Sequence, residues 1–321
     1  MTTSGIANFN LDLNEIVEEA FERAGGELRT GYDLRTARRS LNLLFADWAN
    51  RGVNMWTFEQ NVITLAQGQP TYALPDDTVD LLDHVIRTNA NVPNNQADLT
   101  ITRISVSTYA TIPNKLIQGR PIQVWIQRLT AHESLLPITV AAASPATGIS
   151  STATSIPVSG VNDIPNSGFI RIGTELIFYN EYQAASGATP AQLLNCCRGQ
   201  DGTTAASHNN GDAIYLSQKN SITVWPTPNA GTTYQFVYWR MRRIQDATNS
   251  GVKTFDVPFR FLPCLAAGLA YYIALKLPEG MARLGILKEQ YDEAWQNAAG
   301  EDQEKAAVRF VPRQMFIGSG T

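Results

Sequence analysis

Leu34-Arg-Thr-Ala-Arg-Arg-Ser-Leu-Asn-Leu-Leu-Phe-Ala-Asp-Trp48 carries an apolar stripe. Leu34, Ala37, Leu41, Leu44, Phe45 and Trp48 recur at steps of 3, 4, 3, 1 and 3, the spacing of one face of an α-helix. Arg35, Arg38, Arg39 and Asp47 fall off the stripe, and Gly52 marks its end. Upstream, Asp12 and Glu15 have the spacing of a capping box. Ile16, Val17, Ala20 and Phe21 then make one face, and Gly25-Gly26 stops the run. Residues 1–56 are therefore expected to be helical, with apolar sides that need cover.

The cover lies at the other end of the chain. Residues 261–277 are apolar nearly all round and end at Pro278-Glu279-Gly280, the pattern of a helix buried on several sides. The uncharged stretch is shorter than the roughly 20 residues a bilayer crossing needs, and it contains Pro263, so it is not read as a membrane span. Next, Leu284, Leu287, Tyr291, Ala294, Trp295 and Ala298 line one helical face. Residues 1–56 and 255–304 are expected to form one helical bundle, discontinuous in sequence.

Between them the period changes to that of strands. Val62-Ile-Thr-Leu65 and Thr71-Tyr-Ala-Leu74 flank Gly68-Gln69-Pro70 and read as a hairpin, and residues 81–87, 99–106 and 122–129 read as further strands. Residues 221–225 and 233–240 read as a strand pair across Pro226-Thr-Pro-Asn-Ala-Gly231. In the second of these, Tyr234, Phe236 and Tyr238 share one face, and Gln235, Val237 and Trp239 the other. The expectation is an α+β fold with an antiparallel β region over residues 57–136 and 217–254.

That region is interrupted by a compositional island. Residues 137–216 hold seven charged side chains, Asp163, Arg171, Glu175, Glu181, Arg198, Asp201 and Asp212, and no Lys. Short runs at 155–158, 169–172, 175–179 and 213–216 between turn residues predict strands, so the island reads as an inserted β module rather than a linker. A long structureless loop here would be unusual in a compact protein.

The island also bears on the whole-chain composition. Of the 321 residues 44% are hydrophobic and only 17% charged, with net charge −4, so the chain is globular rather than disordered. A charged fraction below the usual ~25% hints at surface covered by other subunits. Outside the island the charged fraction rises to roughly 20%, which weakens that hint. Residues 1–14 show neither a basic n-region nor an apolar core, so no signal peptide is expected and assembly is expected in the cytoplasm that made the chain. Cys196, Cys197 and Cys264 make neither a disulfide framework nor a CxxC metal pair. Cys196 and Cys197 read as small residues packed at a strand end rather than as a redox switch.

After Glu304 no acidic residue remains. Lys305, Arg309 and Arg313 alternate with Val308, Phe310, Val311, Met315, Phe316 and Ile317 before a Gly-Ser-Gly ending. Residues 305–321 read as an extended arm that orders on a partner.

Several separated segments then agree, in order, with one family. Ile16-Val-Glu-Glu-Ala-Phe-Glu-Arg-Ala24, the run from Leu28 to Gly52, Tyr72-Ala-Leu-Pro75, Ile112-Pro-Asn-Lys-Leu-Ile-Gln-Gly-Arg-Pro121 and Tyr238-Trp-Arg-Met-Arg-Arg-Ile-Gln-Asp246 resemble the head-to-tail adaptor (connector) proteins of short-tailed phages. This is the podovirus group that includes the tail tubular protein A of T7-like phages. The likeness covers most of residues 10–136 and 217–310. The island is a departure from the smaller adaptors, and Leu193 to Asp212 within it resembles a β module found in phage tail and virion proteins. The resemblance implies a structural virion protein: a homo-oligomeric ring, usually a dodecamer, at the head–tail junction. Such a ring binds the portal on one side and the tail nozzle or tubular protein on the other, with DNA passing through its lumen. It also implies that the C-terminal arm, Arg309, Phe310, Val311, Arg313, Met315, Phe316 and Ile317, reaches the portal. No catalytic residue, cofactor, metal or membrane contact is expected.

Other functions compete for particular residues. Arg35, Arg38 and Arg39, and Arg240, Arg242 and Arg243 beside Tyr238 and Trp239, have the make-up of phosphate-binding patches or of inter-subunit contacts. The acidic net charge is unlike the basic footprint of a dedicated DNA binder. A conduit is also better served by weak attraction than by tight phosphate contacts. The island is alternatively a tail-fibre docking or receptor-binding surface. A peptidoglycan hydrolase would need two carboxylates in contrasting environments, and Glu18, Glu19, Glu22 and Glu27 read instead as solvated charges. His84 falls in a strand, His132 beside the island's edge and His208 in a turn-rich loop, with no metal-ligand spacing among them.

Overall fold

The computed structural model describes residues 9–28, 31–52, 55–141, 148–159, 164–187, 189–247 and 255–303. Helix α1 (Leu13–Ala24) starts where the sequence places it. The Asp12 carboxylate accepts the N–H groups of Asn14 and Glu15, and Glu15 reaches back to the Asp12 N–H, closing the capping box. It stops at Gly25, whose φ of 87° suits a residue without a Cβ. Helix α2 (Gly31–Arg51) follows. The chain divides into two compact units, one from residues up to Phe58 and from Arg243 onward, the other Glu59–Arg242.

The second unit runs through β1 (Phe58–Leu65), β2 (Thr71–Ala73), β3 (Thr78–Thr88), β4 (Ala97–Thr100), β5 (Thr102–Ile104), the short helix α3 (Val106–Ala110), β6 (Gln118–Gly119) and β7 (Gln123–Gln127). It continues through β8 (Glu133–Val140), β9 (Ile156–Ser159), β10 (Gly168–Ile172), β11 (Glu175–Tyr179), β12 (Glu181–Gln183), β13 (Ala191–Leu194) and β14 (Ala213–Ser217). Last come β15 (Ser221–Trp225), β16 (Thr227–Pro228) and β17 (Tyr234–Arg242).

Two four-stranded sheets, in orders β1-β17-β3-β4 and β2-β15-β7-β5, share one core. Tyr234, Phe236 and Tyr238 from β17 meet Ile222 and Val224 from β15 there, together with Tyr72, Leu81, Ile86 and Val124. The face predicted for β17 is thus the buried one. Two pairings and one strand expected from sequence are corrected. β1 and β2 are not a hairpin, because β2 pairs with β15 while β1 lies beside β17. β15 and β17 are likewise in different sheets. The strand read over 99–106 breaks at Ile101, with β4 on β3 and β5 on β7. The cause is common to all three: each short connection passes from one sheet to the other. Tyr72 holds the first connection, its hydroxyl accepting the Ala66 N–H and sharing its one proton between the Gln69 carbonyl at 2.9 Å and the Ala66 carbonyl at 3.1 Å.

The charge-poor stretch forms a seven-stranded sheet, order β11-β10-β14-β8-β9-β13-β12. Its core, with Val140, Ile156, Ile170, Ile172, Ile177, Leu193 and Ile214, is separate from that of the paired sheets. Pairing begins at Glu133, opposite Ser217. A smaller cluster of Ala73, Phe169, Leu176 and Phe178 joins β2 to this sheet, and Lys219 bridges Asp76 and Asp201 at 2.8 and 2.9 Å.

The first unit is completed by α4 (Leu262–Ala274) and α5 (Leu284–Glu301). The molecule is α+β. All four long helices contribute to one core, with Ile16, Val17, Ala20 and Phe21 from α1, Leu41, Leu44, Phe45 and Trp48 from α2, Leu265 and Leu269 from α4, and Leu287 and Tyr291 from α5. α4 is buried on nearly every side, and Gly268 lets it approach closely. A Cβ there would stand 2.8 Å from the Tyr291 ring and 3.0 Å from Leu44.

Candidate functional site

The arginines singled out in the sequence fall into two environments. Two residues apart on β17, Arg240 is buried and Arg242 half-buried, and both face carboxylates. Arg240 donates to Asp77, to Glu59 at 2.9 Å and to Thr78 Oγ1 at 3.0 Å, and Arg242 Nε donates to Glu59 at 2.7 Å. Burial works against the Arg240 charge, but Asp77 and Glu59 outweigh it and hold the guanidinium above its ordinary value. These two residues tie β17 to β1 and to the start of β3.

Arg243 belongs to the helical unit. There it lines a groove of about 740 Å³ with Tyr32, Arg35, Arg38, Arg39, Leu43 and Asp246. Arg35, Arg38 and Arg39 are brought together because positions i, i+3 and i+4 share one helix face. The stripe Leu34, Ala37, Leu41 and Leu44 is turned to the core, so this face points away from it. Among the described residues, Arg38 and Arg39 have no carboxylate at ion-pair distance. Arg243 has Asp246 at 3.7 Å. Lys276 stands nearby, donating to Ser40 Oγ at 2.6 Å, and burial together with Arg39 pushes its ammonium below the ordinary value. Four guanidiniums around a shallow groove make a surface for anions or for carboxylates of another chain.

A second groove in the same unit has the opposite sign. It measures about 870 Å³ and is walled by α1 and the start of α4, with Phe9, Leu11, Leu262, Pro263 and Ala266 as apolar lining and Glu15, Glu18, Glu19 and Glu22 at its edge beside the single cation Arg23. Phe9 and Phe259 are 75% and 79% exposed at its rim. Glu19 accepts from Arg23 Nε at 2.6 Å. These glutamates lie on the solvent side of α1, opposite its buried face, as their spacing predicts.

The island holds an ionic network that the sequence did not reveal. Glu175 is fully buried, yet Arg198 donates to both its oxygens at 2.8 and 2.7 Å, His208 Nε2 lies 2.7 Å away, and the Gly199 and Ala206 N–H groups complete the set. Burial alone would raise its pKa. Arg198, the Ala206 N–H, His208 and the Gly199 N–H reverse that and bring it to about 2. Arg198 also donates to the Ser150 and Ala206 carbonyls, so the network pins two loops onto β11. A general acid needs a proton to give and a path to substrate, whereas this carboxylate is ionised and enclosed. The signal available in sequence was a Glu, an Arg and a His in a segment otherwise nearly free of charge.

The remaining titratable groups are also placed. His84 is buried on β3, stacked on Phe236 at 5.8 Å, with neither ring nitrogen hydrogen-bonded, and burial lowers its pKa. Cys196 is buried and Cys197 half-buried after β13, and burial pushes the Cys196 and Cys264 thiols up to about 12. Among the described residues no cluster of His, Cys, Asp or Glu could hold a metal ion, and no helix is long and apolar enough to cross a membrane. The arm residues Arg309, Phe310, Val311, Arg313, Met315, Phe316 and Ile317 lie outside the described residues.

A family model described as SU10 adaptor protein matches residues 149–314, just over half of the chain. No curated protein matches. The matched stretch begins inside the charge-poor segment, runs through β17, α4 and α5, and takes in Arg309 to Arg313 but stops short of Met315. The family is one of phage adaptors, virion components with a structural rather than enzymatic role that act with other head and tail proteins. This chain belongs to the SU10 adaptor protein family.

Proposed function

We infer that the chain is the subunit of a homo-oligomeric ring, a dodecamer, that joins the portal to the tail nozzle of a short-tailed phage and forms part of the DNA ejection channel. The family match carries this reading. The two grooves support it. A closed ring needs heterologous contacts, in which each subunit offers its neighbours two different surfaces. The arginine-lined groove on α2 and the glutamate-edged groove on α1 are two such surfaces, of opposite charge and in one compact unit. We assign Arg35, Arg38, Arg39 and Arg243 to contacts between subunits, and the arm from Arg309 to Ile317 to the portal. DNA passes without being held tightly, in keeping with the net charge of −4.

In this reading residues 1–56 and 255–304 are the helical part, 57–136 and 217–254 the β region, and 305–321 the arm. Residues 137–216 are an inserted module of the kind absent from the smaller T7-like adaptors, and its separate core supports treating it so. Deleting residues 305–321 tests the assignment. Portal capture is expected to be lost while the far-ultraviolet circular dichroism stays that of a folded chain, and retained capture would overturn it. Deleting residues 137–216 separates the adaptor from a fibre-docking protein, since only the adaptor would still bind portal.

A further inference from the structure

We propose that the glutamate-edged groove is the seat of the chain's own C-terminal segment, residues 305–321, in the free subunit. Three observations converge on this. The groove offers what a basic, apolar peptide needs: an apolar floor of Leu11, Leu262, Pro263 and Ala266 between exposed Phe9 and Phe259, edged by four glutamates, of which Glu19 is already paired with Arg23 at the same edge. Glu18 and Glu22 among these are exposed and, among the described residues, have no cation at ion-pair distance. The segment is the complement. Its 17 residues carry Lys305, Arg309 and Arg313 and no carboxylate side chain, interspersed with Val308, Phe310, Val311, Met315, Phe316 and Ile317.

The third observation is where the described chain ends. Asp302, just past α5, lies 2.9 Å from Arg260 and accepts the Met55 N–H, so the end of α5 is fixed beside Arg260. Arg260 is the chain neighbour of Phe259, which stands at the rim of the groove. The segment therefore starts next to its seat. Extended, its 17 residues reach at most about 60 Å. A tethered segment competes at a high effective concentration, so even modest contacts keep it in place. This is why the chain's own segment, rather than that of another copy, is the occupant.

The seating itself is tested without portal. p-Benzoylphenylalanine replacing Phe310 or Phe316 in the full chain is irradiated, and the crosslinks are mapped by mass spectrometry. The expected crosslinks fall within residues 9–23 and 259–266 of the same chain, with a yield independent of protein concentration. In a Glu18→Lys, Glu22→Lys background, whose changes are on the exposed face of α1, the yield is expected to fall at least fivefold. Crosslinks to other regions, no crosslinks, crosslinks joining two chains, or a yield unaffected by the glutamate changes would each overturn the proposal.

Discussion

Trp48 Nε1 donates a hydrogen bond to the Tyr291 hydroxyl at 3.0 Å, joining α2 to α5 across most of the chain. Trp48 is fully buried, and its ring also meets Phe261 and Trp295 at centroid distances of 5.6 and 5.4 Å. Trp48→Ala is expected to destabilise the helical unit by about 3–5 kcal/mol through the cavity it leaves. Tyr291→Phe keeps the packing but removes the hydroxyl that accepts from the indole N–H, at about 0.5–1.5 kcal/mol. Trp295→Ala, at a half-buried position, is expected to cost less than Trp48→Ala. Urea unfolding of the three variants checks the order, and equal losses would contradict this packing.

The Glu175 network gives a pH dependence of definite sign. Its carboxyl is held at about 2, below the ordinary 4.5, so the unfolded chain takes up this proton first as pH falls. The stabilisation is complete above about pH 4.5 and is lost as pH falls towards about 2. Glu175→Gln leaves Arg198 buried without its counter-charge and is expected to cost about 3–5 kcal/mol at neutral pH. Its stability should also be flatter than that of the native chain between pH 4.5 and 2, measured by thermal unfolding.

His84 predicts the reverse of the usual cost of losing a histidine. Burial lowers its pKa, with Asp83 opposing and Arg103 reinforcing, so protons bind preferentially to the unfolded chain below pH 6.5. The stability present above that pH is expected to be lost as pH falls through the lowered folded value. Because neither ring nitrogen has a partner, His84→Phe should raise stability by about 1 kcal/mol and remove that pH dependence. A destabilised His84→Phe protein would show that the imidazole has a polar role.

These cases show what the sequence could and could not convey. The capping box at Asp12 and Glu15, the stripe ending at Trp48 and the buried face of β17 were legible because local periodicity and end chemistry act within a few residues. Strand partners were not. Periodicity says which face is buried but not which strand lies alongside, so β1 with β2 and β15 with β17 were paired across turns that in fact cross between sheets. The same limit hid the site. Arg243 was grouped with Arg240 by adjacency, yet it faces the α2 arginines, while Arg240 turns to Asp77 and Glu59. Arg198 and Glu175 are likewise 23 residues apart in sequence and meet only through the fold of the seven-stranded sheet.

The arginine-lined groove yields a charge-reversal test. Arg38→Glu with Arg39→Glu is expected to leave the unfolding transition within about 0.5 kcal/mol of the native value, as for surface changes generally. It should also lower the fraction of subunits that close into rings on portal. If the double variant instead lost only duplex-DNA binding, measured by fluorescence anisotropy at physiological salt, the groove would be a DNA contact.

Native mass spectrometry of the purified chain, alone and with portal, tests the adaptor ring most directly. A monomer alone that becomes a closed ring, one dodecamer on each portal, is the predicted result. A chain that stays monomeric in the presence of portal, or that binds it without ring closure, would contradict it.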